Sequence, residues 1–389
     1  MKTFKTAHLF FLLIGIPFCL RAQVNQNSLA EQNINPHNER FEQTSNTYYQ
    51  QLVQKNHFEG EKSLSDTIPA DQGIIVEDGY IEKFDNYLIG RITTINDNER
   101  FSVTSNNSTT KIYPNGNLRL LLNLNYRFLS FNINIIPQFN TSNNDDFEKG
   151  KTTGVGFSTG LNFKHWFQQL EYTRTTGYYL ENTGDFDPAW QEGDPYIQFP
   201  ELHYRSVSGV TGYSFNEKFS TKALMTSTER QLKSVGSFIP TLAYRYYIVD
   251  NREELTATNS TQKSKNFEIL ANAGYYYTYV LNKEFYISGG GALGYGLLAS
   301  KITTRSMNDR INSNQTNGVF KWDARGGIGY NGERFFSGFY VTAENRRYRQ
   351  ANTSVINENW RVFMQLHVGY RFNAPEKLRK TVESIPIIN

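Results

Sequence analysis

From Asp78 to Phe372 the chain alternates between apolar and polar residues in segment after segment, with turn residues between them. Residues 360–372 show it best. Trp360, Val362, Met364, Leu366, Val368, Tyr370 and Phe372 fall on one face; Arg361, Phe363, Gln365, His367, Gly369 and Arg371 fall on the other. Strand side chains point alternately to two faces, so this is a strand with one apolar and one largely polar side. Residues 117–128 repeat the pattern, with Leu118, Leu120, Leu122, Leu124, Tyr126 and Phe128 opposite Asn117, Arg119, Asn123, Asn125 and Arg127. Phe131, Ile133 and Ile135 alternate with Asn132 and Asn134, and Phe320, Trp322, Ala324, Ile328 and Tyr330 with Lys321, Asp323 and Arg325. No long helical period interrupts this. The pattern predicts twelve strands, at 117–128, 129–139, 152–163, 166–180, 202–214, 217–228, 238–249, 266–281, 283–299, 318–331, 333–345 and 359–372. Weaker alternation at 86–95 and 99–105 would make fourteen.

A secreted β-sandwich alternates as well, with its apolar face inward. Three features favour a membrane barrel. The segments run to about 10–16 residues, the length of a tilted strand crossing a bilayer, where globular strands average about 5–6. The polar face carries Arg and Lys at mid-segment beside Gly and Asn, as a wet interior would. Aromatic residues recur near segment ends, at Tyr178, Tyr179, Tyr246, Tyr247, Phe285, Tyr286, Phe335 and Phe336, the girdle positions of a barrel. The predicted fold is therefore all-β: an antiparallel transmembrane β-barrel of about 12 strands, between about 10 and 14, over residues 78–372. Short turns at Asn282-Lys283 and Asn331-Gly332 are expected on the periplasmic side. The same parity puts the long connections 140–151 and 181–201 there too, against the usual pattern of short periplasmic turns.

The N-terminus changes the compartment. Lys2 and Lys5 precede an apolar run, Leu9–Phe18, and Leu20-Arg21-Ala22 offers a cleavage site before Gln23, so residues 1–22 read as a signal peptide. Phe18 is too large for lipoprotein processing at Cys19. Cleavage after Ala22 removes the single cysteine, and with it any disulfide or thiol chemistry. Basic residues fall from 40 to 37 against 37 acidic ones, so no electrostatic case for nucleic acid remains. Residues 23–77 form a mostly disordered linker: 14 of the 34 residues from Gln23 to Asn56 are Asn or Gln, too few apolar groups to bury a core. Residues 373–389 form a polar tail.

Few motifs point to chemistry. Gly156-Phe157-Ser158-Thr159-Gly160 matches a nucleophile elbow, which needs a helix after the turn; here alternation continues through Leu161-Asn162-Phe163. Gly289, Gly291 and Gly294 match a dinucleotide fingerprint that also lacks its helix. His37, His57, His165, His203 and His367 show no metal-ligand spacing. Asp145, Asp146 and Glu148 lack the alternating oxygens of a calcium loop. No cofactor, metal or catalytic residue is assigned. A rim hydrolase built from His203 with Asp185, Asp187 or Asp194 is one alternative. The polar face assigns Arg119, Arg127, Arg245, Glu268, Lys321, Asp323, Arg325, Arg361, Gln365, His367 and Arg371 to the lumen, with Glu344. Such residues either fill the barrel with an ionic network or line a mildly basic pore for small solutes. The network is the preferred reading, giving a non-enzymatic barrel with a structural or interaction role. Its expected partners are outer-membrane lipid, the barrel-assembly machinery and a periplasmic partner of the linker.

Three stretches carry a family resemblance: Asp78-Gly79-Tyr80-Ile81-Glu82-Lys83-Phe84-Asp85, Tyr113-Pro114-Asn115-Gly116, and Lys233-Ser234-Val235-Gly236-Ser237-Phe238. In order and spacing they resemble the domain of unknown function 4421 family of Bacteroidota over roughly 78–372. The resemblance implies an outer-membrane-type β-barrel of unassigned activity and carries over no catalytic residue. The end of the last strand, His367-Val368-Gly369-Tyr370-Arg371-Phe372, resembles the terminal strand read by the barrel-assembly machinery, except that 17 residues follow it.

Overall fold

The computed structural model describes residues 74–96, 99–105, 108–116, 118–137, 145–257, 259–349 and 356–385. The predicted signal peptide, nearly all of the predicted linker and residues 386–389 lie outside them. The chain divides into two units, Met1–Pro69 and Ala70–Asn389, and the second carries the elements below. In chain order these are β1 (Ile74–Glu77), β2 (Ile81–Phe84), β3 (Tyr87–Ile95), β4 (Phe101–Ser105), β5 (Ser108–Tyr113), β6 (Arg119–Tyr126), β7 (Leu129–Ile135), α1 (Asp146–Lys149), β8 (Thr153–Asn162), β9 (Trp166–Leu180) and β10 (Gln198–Tyr213). They continue with α2 (Thr221–Met225), β11 (Glu229–Gln231), β12 (Val235–Asn251), β13 (Thr261–Val280), β14 (Phe285–Arg305), β15 (Arg310–Asn331), β16 (Phe335–Arg349), β17 (Ile356–Asn373) and α3 (Glu376–Glu383).

Twelve strands close into an antiparallel ring in the order β3, β6, β7, β8, β9, β10, β12, β13, β14, β15, β16, β17. Pairing of β17 with β3 and of β9 with β10 leaves the wall no edge strand. The alternation read from sequence is the inside–outside alternation of this wall. Leu366 is 51 % exposed, whereas Arg371 on the opposite face is 0 % exposed. Leu122, Phe131, Ile133, Phe157, Leu293 and Val362 stand outward in the same way. The outer face holds a few polar groups that satisfy one another: Gln168 donates to the Tyr244 hydroxyl at 2.8 Å and accepts from Thr211. Among the described residues no helix is long and apolar enough to cross a membrane; this wall would cross with strands.

Twelve is the expected number, but one member differs. Residues 217–228 form no wall strand. Ser220 caps α2 by accepting from the Ala223 amide at 2.9 Å, and Lys222, Ala223, Leu224 and Met225 are good helix formers. The twelfth wall strand is β3, which sequence pattern marks only weakly. The residues at 99–105 form β4 of a hairpin outside the wall. The exchange also removes the parity conflict. Turns at 127–128, 163–165, 281–284 and 332–334 lie at the end that holds β1, β2 and α3. The strand ends joined by the connections 136–152 and 181–197 lie at the opposite end, where long loops belong.

Two inserts fold across the mouths. At the loop end the β4–β5 hairpin leaves β3, and β5 pairs with β9 at Ile112–Leu180 and Tyr113–Tyr179 while β4 touches β17 at Thr104–Ile356. Those wall strands are separated by β3, β6, β7 and β8, so the hairpin bridges nearly opposite sides of the ring. At the terminal end β1, β2 and β11 make a three-stranded sheet, fed by the 214–234 connection.

Candidate functional site

The interior divides into three levels, built from inward-facing positions of the wall. At the loop end, Phe101 of the hairpin packs on Tyr178 and Tyr204 at ring distances of 5.6 and 5.8 Å. Just before the hairpin, Glu99 accepts from Arg245 at 2.9 Å. Arg245 also pairs with Glu268 at 3.7 Å, and Glu268 of β13 meets Arg346 of β16, with two strands between them in the ring. Glu344 completes this level, accepting from Arg361 Nε at 2.9 Å and pairing with Lys321 at 3.4 Å. Buried ions are tolerated only when each has partners, and here three carboxylates serve four cationic neighbours from the predicted set and from Arg346.

The middle level is cationic. Arg325 lies 4.2 Å from the centroid of Tyr340 and donates to Gln365 at 3.5 Å. His367 stacks on Tyr340, and among the described residues its Nδ1 has no partner. Arg91 donates to Asn123 at 3.2 Å. Asp323 faces Tyr276 and Arg325. Arg119 belongs to the neighbouring wall, donating to Asn134 at 2.6 Å within an Asn/Ser ladder through Asn123, Asn132 and Ser158. Beside that ladder Ser130, Gln169, Glu171 and Ser208 line a cavity of about 110 Å³.

The floor is held by Arg371. Its guanidinium donates to the Ser227 carbonyl at 2.9 Å, to Asn331 Oδ1 at 2.5 Å and to the Gly332 carbonyl at 2.5 Å. It lies 3.8 Å from the centroid of Phe84. Arg230 of β11 donates to Glu82 of β2 at 2.6 Å and to the Asn331 carbonyl at 3.0 Å. Asn125 of β6 donates to the Thr226 carbonyl, and Phe219 packs with Phe167 of β9 and Ile239 of β12. The floor is thus tied to β6, β9, β12, β15 and β17.

A clamp anchors its β1 edge. Glu77 pairs with Lys164 at 2.7 Å and with Lys83. Hydrogen bonds from Lys164 and then Lys83 hold its carboxyl down from 4.5 to about 2. A depressed carboxyl stabilises the fold fully above its ordinary value and loses that contribution as pH falls through the folded value. Hydrogen exchange of β1 and β2 amides, corrected for intrinsic rate, should therefore accelerate between pH 4.5 and about 2 in the full chain. Glu77→Gln should flatten this step; an identical profile in the variant would show that the clamp does not hold the sheet.

Of the residues expected in the lumen, Arg127 stands apart. It occupies a turn between β6 and β7 with φ of 51° and pairs with Glu383 of α3 at 2.7 Å. The polar tail therefore contains a helix bound to the barrel's terminal end. Glu99, Arg346, Arg91, Glu82 and Arg230 were not singled out from sequence. Glu82 and Arg230 lie in the floor segments, outside the alternating wall. Of the eight girdle residues the sequence implies, Tyr246, Phe285 and Phe335 stand exposed, while Tyr178, Tyr179, Tyr247 and Phe336 are buried. At 246–247 and 335–336 the reason is that neighbours along a strand cannot share a face.

The motif residues are placed as wall. Ser158 faces inward in mid-β8, accepting from Asn132 at 2.9 Å, and a side chain at Gly156 would meet Asn134. Gly289, Gly291 and Gly294 lie within β14, the last with its Cα hydrogen against Asn272. His203 bonds Thr176 at 3.0 Å and Glu201 at 3.4 Å, while Asp185, Asp187 and Asp194 each accept bonds within their own loop. Asp145 pairs with Lys149 and Asp146 accepts from Asn115. Among the described residues no group of three potential ligands could hold a metal ion.

An edgeless antiparallel ring with apolar residues outside and charged residues inside is a β-barrel of the outer-membrane type. The family model for a domain of unknown function, DUF4421, matches residues 76–372, and the chain belongs to that family. No curated protein matches it. Similar solved structures include the β domain of the Bordetella autotransporter Brka, 11 % identical over 74 % of this chain and 100 % of that one, with a TM-score of 0.34. The outer membrane protease OmpT of Escherichia coli is 7 % identical over 75 % and 98 %, TM-score 0.35. Ail, the attachment invasion locus protein of Yersinia pestis, is 13 % identical over 54 % and 98 %, TM-score 0.22.

Proposed function

We propose that the chain is a closed, non-enzymatic outer-membrane barrel, exported through its signal peptide, whose role is structural or interactive. The observation that carries this is the covering of both mouths. The β4–β5 hairpin bridges β9 and β17 at one end, and the Arg371-anchored sheet spans the other. The ionic level between Glu99 and Arg361 fills the section between them. A barrel of this strand number is narrow enough to be plugged by its own side chains. With β1, β2 and α3 on the periplasmic side, residues 145–152 and 181–197 at the other end face outward and offer the interaction surface.

A second reading, a small-anion pathway, draws on the middle level, where Arg91 and Arg325 lie close to His367. Opening would then require displacement of the hairpin or the floor. Planar-bilayer recording on the refolded full chain separates the two. A quiet baseline is expected across moderate voltages. Regular, anion-selective current steps would overturn the closed-barrel reading in favour of the pathway.

A further inference from the structure

Among the described residues, the outer face carries a row of cations without side-chain partners. Register pairing runs Arg174 to Arg205, Arg205 to Ile248, Ile248 to Lys265 and Lys265 to Lys301, across β9, β10, β12, β13 and β14. The row adjoining it, two residues along each strand, reads Tyr172, Val207, Tyr246, Phe267 and Ala299. Tyr172, Tyr246 and Phe267 are exposed and end the apolar belt at this height. On β13 the belt runs on from Phe267 through Ile269 to Tyr275, roughly the span of a bilayer-crossing strand. The cations therefore begin where the apolar belt stops, on the side of the long loops.

Two of the pairings set like charges directly opposite each other, Arg174 with Arg205 and Lys265 with Lys301. Such pairs destabilise a sheet unless an anion lies between them. Among the described residues none of the four has a side-chain hydrogen bond or ion pair, and Arg205 Nε is buried without a partner. The nearest carboxylate in the row beyond, Asp250, is already held by Arg252, Lys263 and Arg305. Long flexible cations in the row next to exposed Tyr172, Tyr246 and Phe267 suit the headgroup layer of a membrane.

We propose that Arg174, Arg205, Lys265 and Lys301 form a strip that binds phosphate-bearing lipid headgroups of the outer leaflet. Phosphate oxygens would sit between the paired cations and relieve their repulsion, and the acyl chains would run down over Tyr172, Tyr246 and Phe267. This rests on the outer-membrane reading with the long loops outward.

The test uses the refolded full chain in neutral detergent micelles, with retained lipid counted by native mass spectrometry. The probes are bisphosphorylated lipid A and the same lipid with its phosphates removed. Preferential retention of the phosphorylated form is expected, falling about tenfold with each double variant, Arg174→Gln/Arg205→Gln or Lys265→Gln/Lys301→Gln. Arg310→Gln, which removes a positive charge at the β14–β15 turn outside the row, should leave retention unchanged. Equal retention of both lipids, or retention unaffected by both double variants, would overturn the strip. Displacement by millimolar inorganic phosphate as effective as by lipid phosphate would also overturn it, assigning the row to soluble anions. Protease protection of the wall in phosphatidylcholine vesicles tests insertion separately, so loss of the strip and loss of the membrane reading are distinguishable.

Discussion

Arg371→Ala is expected to release the floor of the barrel and to cost about 3–5 kcal/mol, read as a lower urea midpoint of the refolded full chain in micelles. Arg371 is 0 % exposed, and its guanidinium serves the Ser227 and Gly332 carbonyls and the Asn331 amide oxygen at once. Each buried acceptor left unsatisfied costs about 1–3 kcal/mol, and the contacts over Phe84 and Phe336 are lost as well. Arg371→Lys keeps the charge but has no planar fork to reach three acceptors, so it should fall between the two. Because Arg371 ties β17 to the 214–234 connection, the alanine variant should also expose that connection to protease while the wall stays protected. A midpoint within about 0.5 kcal/mol of the parent, with the connection still protected, would show that the floor is held by its apolar contacts.

The wall was readable from sequence because each strand meets apolar surroundings on one side and polar groups on the other. That contrast printed β6, β15 and β17 directly, down to the inward positions of Arg361, Gln365, His367 and Arg371. The alternation fails where both faces are apolar. In β3, outward Ile92 is matched by inward Tyr87 and Ile89, which pack on Phe84 and Phe336, so the segment looked weaker than a wall strand. It also fails where it continues by accident. Tyr126 and Phe128 carry the period through a turn, which drew Arg127 into the lumen although its backbone has turned left-handed. Residues 217–228 held the opposite signal, Ser220 followed by a run of helix formers, and the alternation around them outweighed it. The floor and the hairpin were hidden for a simpler reason. Their residues are matched to the inside of a barrel, and the polarity of Glu82, Glu99 or Arg230 looks like that of any loop until the ring closes around it.

The last wall strand gives the sharpest test of which face meets lipid. Leu366 is exposed on the outer face and Gln365 lies inside beside Arg325. Leu366→Arg places a charge in the apolar belt and should cost about 2–4 kcal/mol if that belt lies near the bilayer midplane. Lumen positions ordinarily tolerate charge, but this one has a cationic neighbourhood. Arg91 and Arg325 lie close to His367, and a third guanidinium from Gln365→Arg would meet repulsion of about 2 kcal/mol at roughly 8 Å and an effective dielectric of 20. Gln365→Glu should instead be neutral or stabilising, because it adds a carboxylate beside Arg325, on the side away from Arg325's neighbour Asp323, to a level where Arg91 and Arg325 outnumber the one carboxylate. Urea midpoints should therefore rank Gln365→Glu at or above the parent, then Gln365→Arg, then Leu366→Arg. Stability cannot separate a lipid face from a protein core, so labelling completes the test. In phosphatidylcholine vesicles, cysteine placed by Leu366→Cys should react with a lipid-confined photoprobe, and cysteine placed by Gln365→Cys should not. Negligible labelling at both positions would mean that the outer face never meets lipid, and the reverse pattern would turn the strand inside out.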